Sequence, residues 1–267
     1  MRRALIAAAL VATAAVTSGA QSDRAGRFMD NCRRNRNDYA NFCETRDFSL
    51  PALKGLVVDG KENGGISVIG WDRAEIKVLA MVQSQAESDG EAADIARNIA
   101  IAVNNGDIRA TGPTRNGRHE SWSVSYEIYV PRNTDLALTA SNGGVSVDGV
   151  SSRMELETVN GGLSVTDVSG DVRGRTVNGG VHAELSGDRW NGTGLDLKTS
   201  NGGVTISLPS NYSARLETGT VNGGMNIGFP ITVQGNFDRR ISTQLGGGGA
   251  TISATTTNGG VTIRRKG

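Results

Sequence analysis

The chain has 267 residues, 28 basic against 27 acidic side chains, and 37 glycines, about 14% of the total where ~7% is usual. Proline numbers only 5 and no Gly-X-Y period runs through the chain, which excludes collagen. A net charge of +1 excludes an electrostatic nucleic-acid binder. Leu, Ile, Val and Phe total 59, enough for a core. With 12 aromatics in all, that core is expected to consist of small aliphatic side chains.

Residues 1–20 read as a signal peptide. Arg2 and Arg3 precede the apolar run Ala4 to Val16, and Ser18 and Ala20 supply the small residues of a cleavage site. The run of 13 residues is shorter than the ~20 that a membrane-spanning helix needs. Cleavage near Ala20 would leave a secreted or periplasmic protein with no membrane span. Gln21, not a cysteine, stands directly after the cleavage point, so a lipid anchor is not expected. Loss of Arg2 and Arg3 moves the formal charge from +1 to −1.

Residues 21–50 form an N-terminal segment in which Cys32 and Cys43 are separated by ten residues. In an oxidising compartment such a pair is expected to form one disulfide. Residues 71–82 read as a strand, with Ile76, Val78, Ala80 and Val82 on one parity. Glu91 to Asn98 follows a Ser-Asp-Gly loop signal and reads as a helix, either a cap over the end of the fold or a crossover between strands. Strands resume near Ile99–Val103 and Trp122–Val130.

The rest of the chain is organised by a repeat. Asn-Gly-Gly begins at Asn63, Asn142, Asn160, Asn178, Asn201, Asn222 and Asn258. From Asn142 the gaps are 18, 18, 23, 21 and 36 residues, and a fixed period near 20 marks stacked units. Asn and Gly both tolerate the left-handed backbone region, so each tripeptide is expected to be a sharp corner. Apolar residues alternate on both sides, as in Leu136, Leu138 and Ala140 before the corner and Val145 and Val147 after it. The predicted fold is all-β: a parallel β-helix, or β-solenoid, of roughly 18-residue coils over residues 51–267, with one short helix near its start. In-register stacking would align Glu155, Arg173 and Asp196 in a ladder of alternating sign, and would set Glu157 beside Arg175 but Arg175 beside Lys198, a like-charge step.

Three stretches carry a family resemblance. They are Tyr126–Val147, the Thr-Val-Asn-Gly-Gly copies, and Trp190-Asn191-Gly192-Thr193-Gly194-Leu195. Together they resemble the putative-adhesin family of bacterial secreted proteins, over roughly residues 50–267. The resemblance implies a β-solenoid domain in the cell envelope and no defined activity.

The parallel β-helix also hosts polysaccharide lyases and hydrolases, which need clustered acids or metal ligands on one face. Here His119 and His182 stand apart, and the outward acids alternate with arginines. No G-x-S-x-G, H-E-x-x-H or phosphate-loop pattern occurs. The nonapeptide that binds calcium in other solenoids lacks its aspartate in most copies, and the corner threonines share the inward parity. No catalytic residue, cofactor or metal is expected.

The five extra residues before Asn201 bring in Arg189 and Trp190, the candidate binding surface if the indole is exposed rather than folded onto the solenoid flank. The expected function is that of a non-enzymatic, adhesin-like binding or scaffolding module of the envelope. Its partner class would be envelope polysaccharide or another envelope protein. The alternative is a carbohydrate-active enzyme on the same fold.

Overall fold

The computed structural model describes residues 16–34, 39–61, 63–114, 117, 119–229 and 239–266, with side chains from residue 24 onward except at 33. Most of the expected signal peptide lies outside these residues. Helix α1 (Val16–Arg34) runs through its expected cleavage point. Among the described residues no helix is long and apolar enough to cross a membrane.

The chain then forms β1 (Ala40–Pro51), β2 (Gly55–Asp59), β3 (Ile66–Trp71), β4 (Glu75–Ala86), helix α2 (Asp89–Arg97), β5 (Ala100–Asn104), β6 (Asp107–Thr111) and β7 (Ser121–Pro131). The repeat proper follows as β8 (Asp135–Ala140), β9 (Val145–Asp148), β10 (Ser151–Thr158), β11 (Leu163–Thr166), β12 (Ser169–Asn178), β13 (Val181–Glu184), β14 (Gly194–Asn201) and β15 (Val204–Leu208). It closes with β16 (Ala214–Asn222), β17 (Met225–Ile227), β18 (Arg240–Leu245), β19 (Thr251–Asn258) and β20 (Val261–Arg265).

The strands make two ten-stranded sheets, and from β8 to β17 the chain alternates between them. Successive repeats pair in parallel and in register: Leu138 lies beside Leu156, Leu156 beside Gly174, and Gly174 beside Leu197. In the first sheet Val147, Val165, Ala183 and Ile206 form the matching row. Both rows point inward because strand side chains alternate faces, and their aliphatic members join one hydrophobic cluster fed by both sheets. Burying each Val or Leu contributes about 1.5–3 kcal/mol, so the alternation read in the sequence is also what drives the sheets together.

The order of strands in space departs from their order in the chain. After β17 the chain adds β18 antiparallel to β16. Then β19 returns to lie between β14 and β16, and β20 between β15 and β17. The 36-residue gap before Asn258 is therefore a detour to the end of the stack and back. At the other end β1, β4 and β7 pair antiparallel, as do β5 and β6 through the left-handed turn at Asn105 and Gly106. The all-parallel arrangement expected from the period holds only in the middle of the stack, since antiparallel strands flank it at both ends: β1, β4, β7 and β5 at one, β18 at the other.

Residues 40–51 pair with β4 along their whole length, from Ala40–Ala86 to Pro51–Glu75. The expected division at residue 50 thus falls inside a strand of the first sheet. The disulfide Cys32–Cys43 ties the last turn of α1 to β1, with the Cα atoms 6.4 Å apart.

The expected helix at 91–98 is α2, begun by a capping box between Ser88 and Glu91. It buries Ala92 and Ala96 and crosses from the first sheet to the second, serving as crossover and end cover together. Arg46 on β1 donates to the carbonyls of Ala96 (2.9 Å), in the last turn of α2, and of Ile99 (2.5 Å), just beyond it, placing a cation at the helix C-terminus.

Candidate binding surfaces

The corners form the spine of the surface. Each corner asparagine donates its side-chain amide to the next: Asn142 to Asn63, Asn160 to Asn142, Asn178 to Asn160, and Asn201 to Asn178, at 2.7–3.2 Å. Asn258 donates to Asn201 and Asn222 to Asn258, both at 2.8 Å, so the ladder follows the spatial order of the strands. Beside it, buried threonines donate to the first-glycine carbonyl of the neighbouring corner, as Thr158 does to Gly143 and Thr176 to Gly161, both at 2.7 Å.

The reason for glycine at these corners differs from the one expected. None of the seven asparagines has a positive φ, and of the fourteen corner glycines only Gly259 does. Close approach decides it instead. A Cβ on Gly161 would sit 2.1 Å from the Gly143 carbonyl oxygen, and one on Gly179 would sit 2.1 Å from that of Gly161.

Two open grooves flank this spine. On the first sheet, a groove of about 760 Å³ is floored by the outward row Ser67, Ser146, Ser164, His182 and Thr205, one residue from each of five adjacent strands. His182 faces outward there between Ser164 and Thr205, and among the described residues no carboxylate lines the groove beside it, the buried Tyr126 being the other titratable side chain of the lining. At the head of the row α1 lies against the sheet. Arg24 reaches Ser67 at 3.5 Å and pairs with Glu127 at 2.5 Å, and the Glu127 side chain is fully buried. The Tyr129 hydroxyl donates to the same carboxylate at 2.7 Å, and burial followed by this contact pushes the phenol above its ordinary pKa. His119 stacks on Tyr39 at 4.4 Å, far from His182 in the sequence.

On the second sheet, a trench of about 550 Å³ runs across the strands beside the corners. One wall carries Glu157, Arg175, Lys198 and Arg240, and the other carries Val159, Val177 and Val221. These valines, at 42–49% exposure, are among the most exposed large apolar side chains of the described residues. The ladder registers are those expected: Glu155 beside Arg173, Arg173 beside Asp196, and Arg175 beside Lys198. The ion pairs, however, run along strands rather than across them. Arg153 holds Glu155 at 2.7 Å, Lys198 holds Asp196 at 2.8 Å and Arg215 holds Glu217 at 3.0 Å. The Arg153 hydrogen bond and charge, helped by Arg173, keep the Glu155 carboxyl below its usual range.

Trp190 does not form an exposed platform. Its side chain is 5% exposed, joins the core, and donates Nε1–H to the Gly170 carbonyl at 3.0 Å. The extra residues before Asn201 bring a large ring inward to fill the core where the chain turns between β13 and β14. Arg189 stays exposed and pairs with Asp188 at 3.3 Å, which lowers the Asp188 carboxyl. The two residues of the expected surface thus part company, one in the core and one in a surface pair.

These features define a two-sheet repeat protein, register-locked by an asparagine ladder, with grooves on both sides of that ladder. The chain belongs to the Toastrack DUF4097 family, whose model matches residues 63–264. No curated protein matches it in sequence. Among solved structures, a "putative cell adhesion protein" from Clostridium sporogenes is similar with TM-score 0.47 and 14% identity, covering 85% of this chain and 100% of its own. A "putative adhesin" from Bacteroides fragilis has TM-score 0.38 and 13% identity, covering 84% and 97%. A "putative lipid binding protein" from Parabacteroides distasonis has TM-score 0.33 and 10% identity, covering 83% and 96%.

Proposed function

We propose that this protein is a non-enzymatic binding or scaffolding module of the bacterial cell envelope, a β-solenoid of roughly 18-residue coils exported by the signal peptide at residues 1–20. The observation that carries this reading is the state of the outward acids on the second sheet. Glu155, Asp171, Asp196 and Glu217 are each tied to a basic side chain two residues away on the same strand. Each of these acids is engaged by a base on its own strand, whereas glycoside cleavage needs two acids converging on one bond with separated proton affinities. The one disulfide fits an oxidising compartment.

What the fold offers instead is a rigid surface with grooves on both sides of a spine. Rigid repeats lose little conformational entropy on binding. The test is cosedimentation of the purified protein with insoluble envelope material. Saturable association that persists through washing is expected. Recovery of all the protein in the supernatant would contradict the proposal.

A further inference from the structure

We propose that the trench on the second sheet binds a linear acidic polysaccharide, an inference that rests on the binding-module reading above. The starting point is an electrostatic misfit. Arg175 and Lys198 are direct partners on neighbouring parallel strands, a placement that like charges make unfavourable. On this face Arg153, Arg173, Lys198 and Arg215 each pair with an acid on their own strand. Arg175 has Glu157 as its partner on the strand opposite Lys198 but makes no ion pair or hydrogen bond among the described residues. Arg240 lies further along the same row, beyond Thr255 and Gly219. Among the described residues Glu157 is the one acid that lines the trench. The fold therefore tolerates a repulsive step that an anion laid along the row would relieve.

The rest of the lining selects the kind of anion. The trench lies on a sheet face, where ladder bonding already engages the backbone, so an extended peptide finds no edge to join. Among the described residues no aromatic side chain lines it, so these offer no platform for stacking nucleobases. Hydroxyls line it in both rows: Thr139 and Thr255 stand in the charged row, and Ser141, Ser200 and Thr257 alternate with the exposed Val159, Val177 and Val221 in the other. A uronic-acid chain carries carboxylates for the charged row and mixed hydroxyl and C–H surface for the other. The groove crosses strands spaced about 4.8 Å apart, which suits a polymer with short, regular charge spacing.

The experiment titrates polygalacturonate, neutral dextran and poly-glutamate into the purified protein with its disulfide intact. Polygalacturonate is expected to bind, to weaken as salt rises, and to weaken at least tenfold in the double variant R175Q/K198Q. R153Q, on the same face but outside the trench, should stay within twofold of the parent. R175Q alone should melt close to the parent, since it removes the repulsive neighbour of Lys198 and the attractive neighbour of Glu157 together. Thr255→Arg, which extends the cationic row, should tighten binding several-fold and so gives a test that does not depend on loss. Absent binding, equal binding of dextran, tighter binding of poly-glutamate, or indifference to R175Q/K198Q each overturns the trench assignment. Because cosedimentation with envelope material is read separately, it can hold while this assignment fails.

Discussion

Gly161 and Gly162 are neighbours in one corner and answer to different constraints. A Cβ at Gly161 would press to 2.1 Å on the Gly143 carbonyl oxygen, a backbone atom held by the Thr158 hydroxyl, whereas one at Gly162 would meet the Gly180 oxygen at 3.2 Å. Gly161→Ala is expected to destabilise by about 3 kcal/mol or more and Gly162→Ala by about 1 kcal/mol or less, measured by urea unfolding. Asp148 shows the same sensitivity to neighbours in electrostatic form. Burial, then Asp167 and Glu184, raise its pKa, against the pull of Arg132. A carboxyl with a raised folded pKa opposes folding once ionised, and the penalty vanishes as pH falls below the unfolded value. Asp148→Asn should therefore raise Tm at neutral pH by about 1 °C, and thermal melts in acid should show the gain disappearing.

At the scale of elements, the loop before β14 and the helix α1 show how non-repeating pieces are fastened to a repeating body. Trp190 closes the core at a turn, so Trp190→Ala should cost about 3–5 kcal/mol and lower the melting temperature. An unchanged melt would place the indole outside the core. Helix α1 is held by the Cys32–Cys43 bond and by Arg24 on buried Glu127. Replacing both cysteines with serine should speed amide exchange in residues 24–34 by at least tenfold, while the strands of the repeat keep their protection. Equal loss of protection in β9 and β11 would show that the helix is part of the cooperative core.

Across the whole molecule, the parts legible in the sequence were those repeated often enough to average out local accidents. Seven Asn-Gly-Gly corners and the alternation around them gave the registers of Glu155 on Arg173 and Arg175 on Lys198 without a structure. The cause of the glycines was misread, because left-handed geometry and close backbone approach select the same residue. The return of β19 and β20 into the stack was hidden, since a period records spacing and not the order of neighbours. Trp190 was ambiguous because a ring next to an arginine in an insertion reads alike whether it points in or out. The trench is half visible in the sequence, as the like-charge step of Arg175 on Lys198, while its valine row is not, because Val159, Val177 and Val221 each stand between the last inward threonine and the corner asparagine, beyond the apolar alternation.

The central claim is that the protein holds an envelope polymer without cutting it. The direct measurement is size-exclusion chromatography with light scattering on host envelope polysaccharide, before and after prolonged incubation with the protein. Co-elution of protein with polymer of unchanged chain length is the predicted result. Shortened polymer, or protein eluting wholly apart from it, would contradict the account.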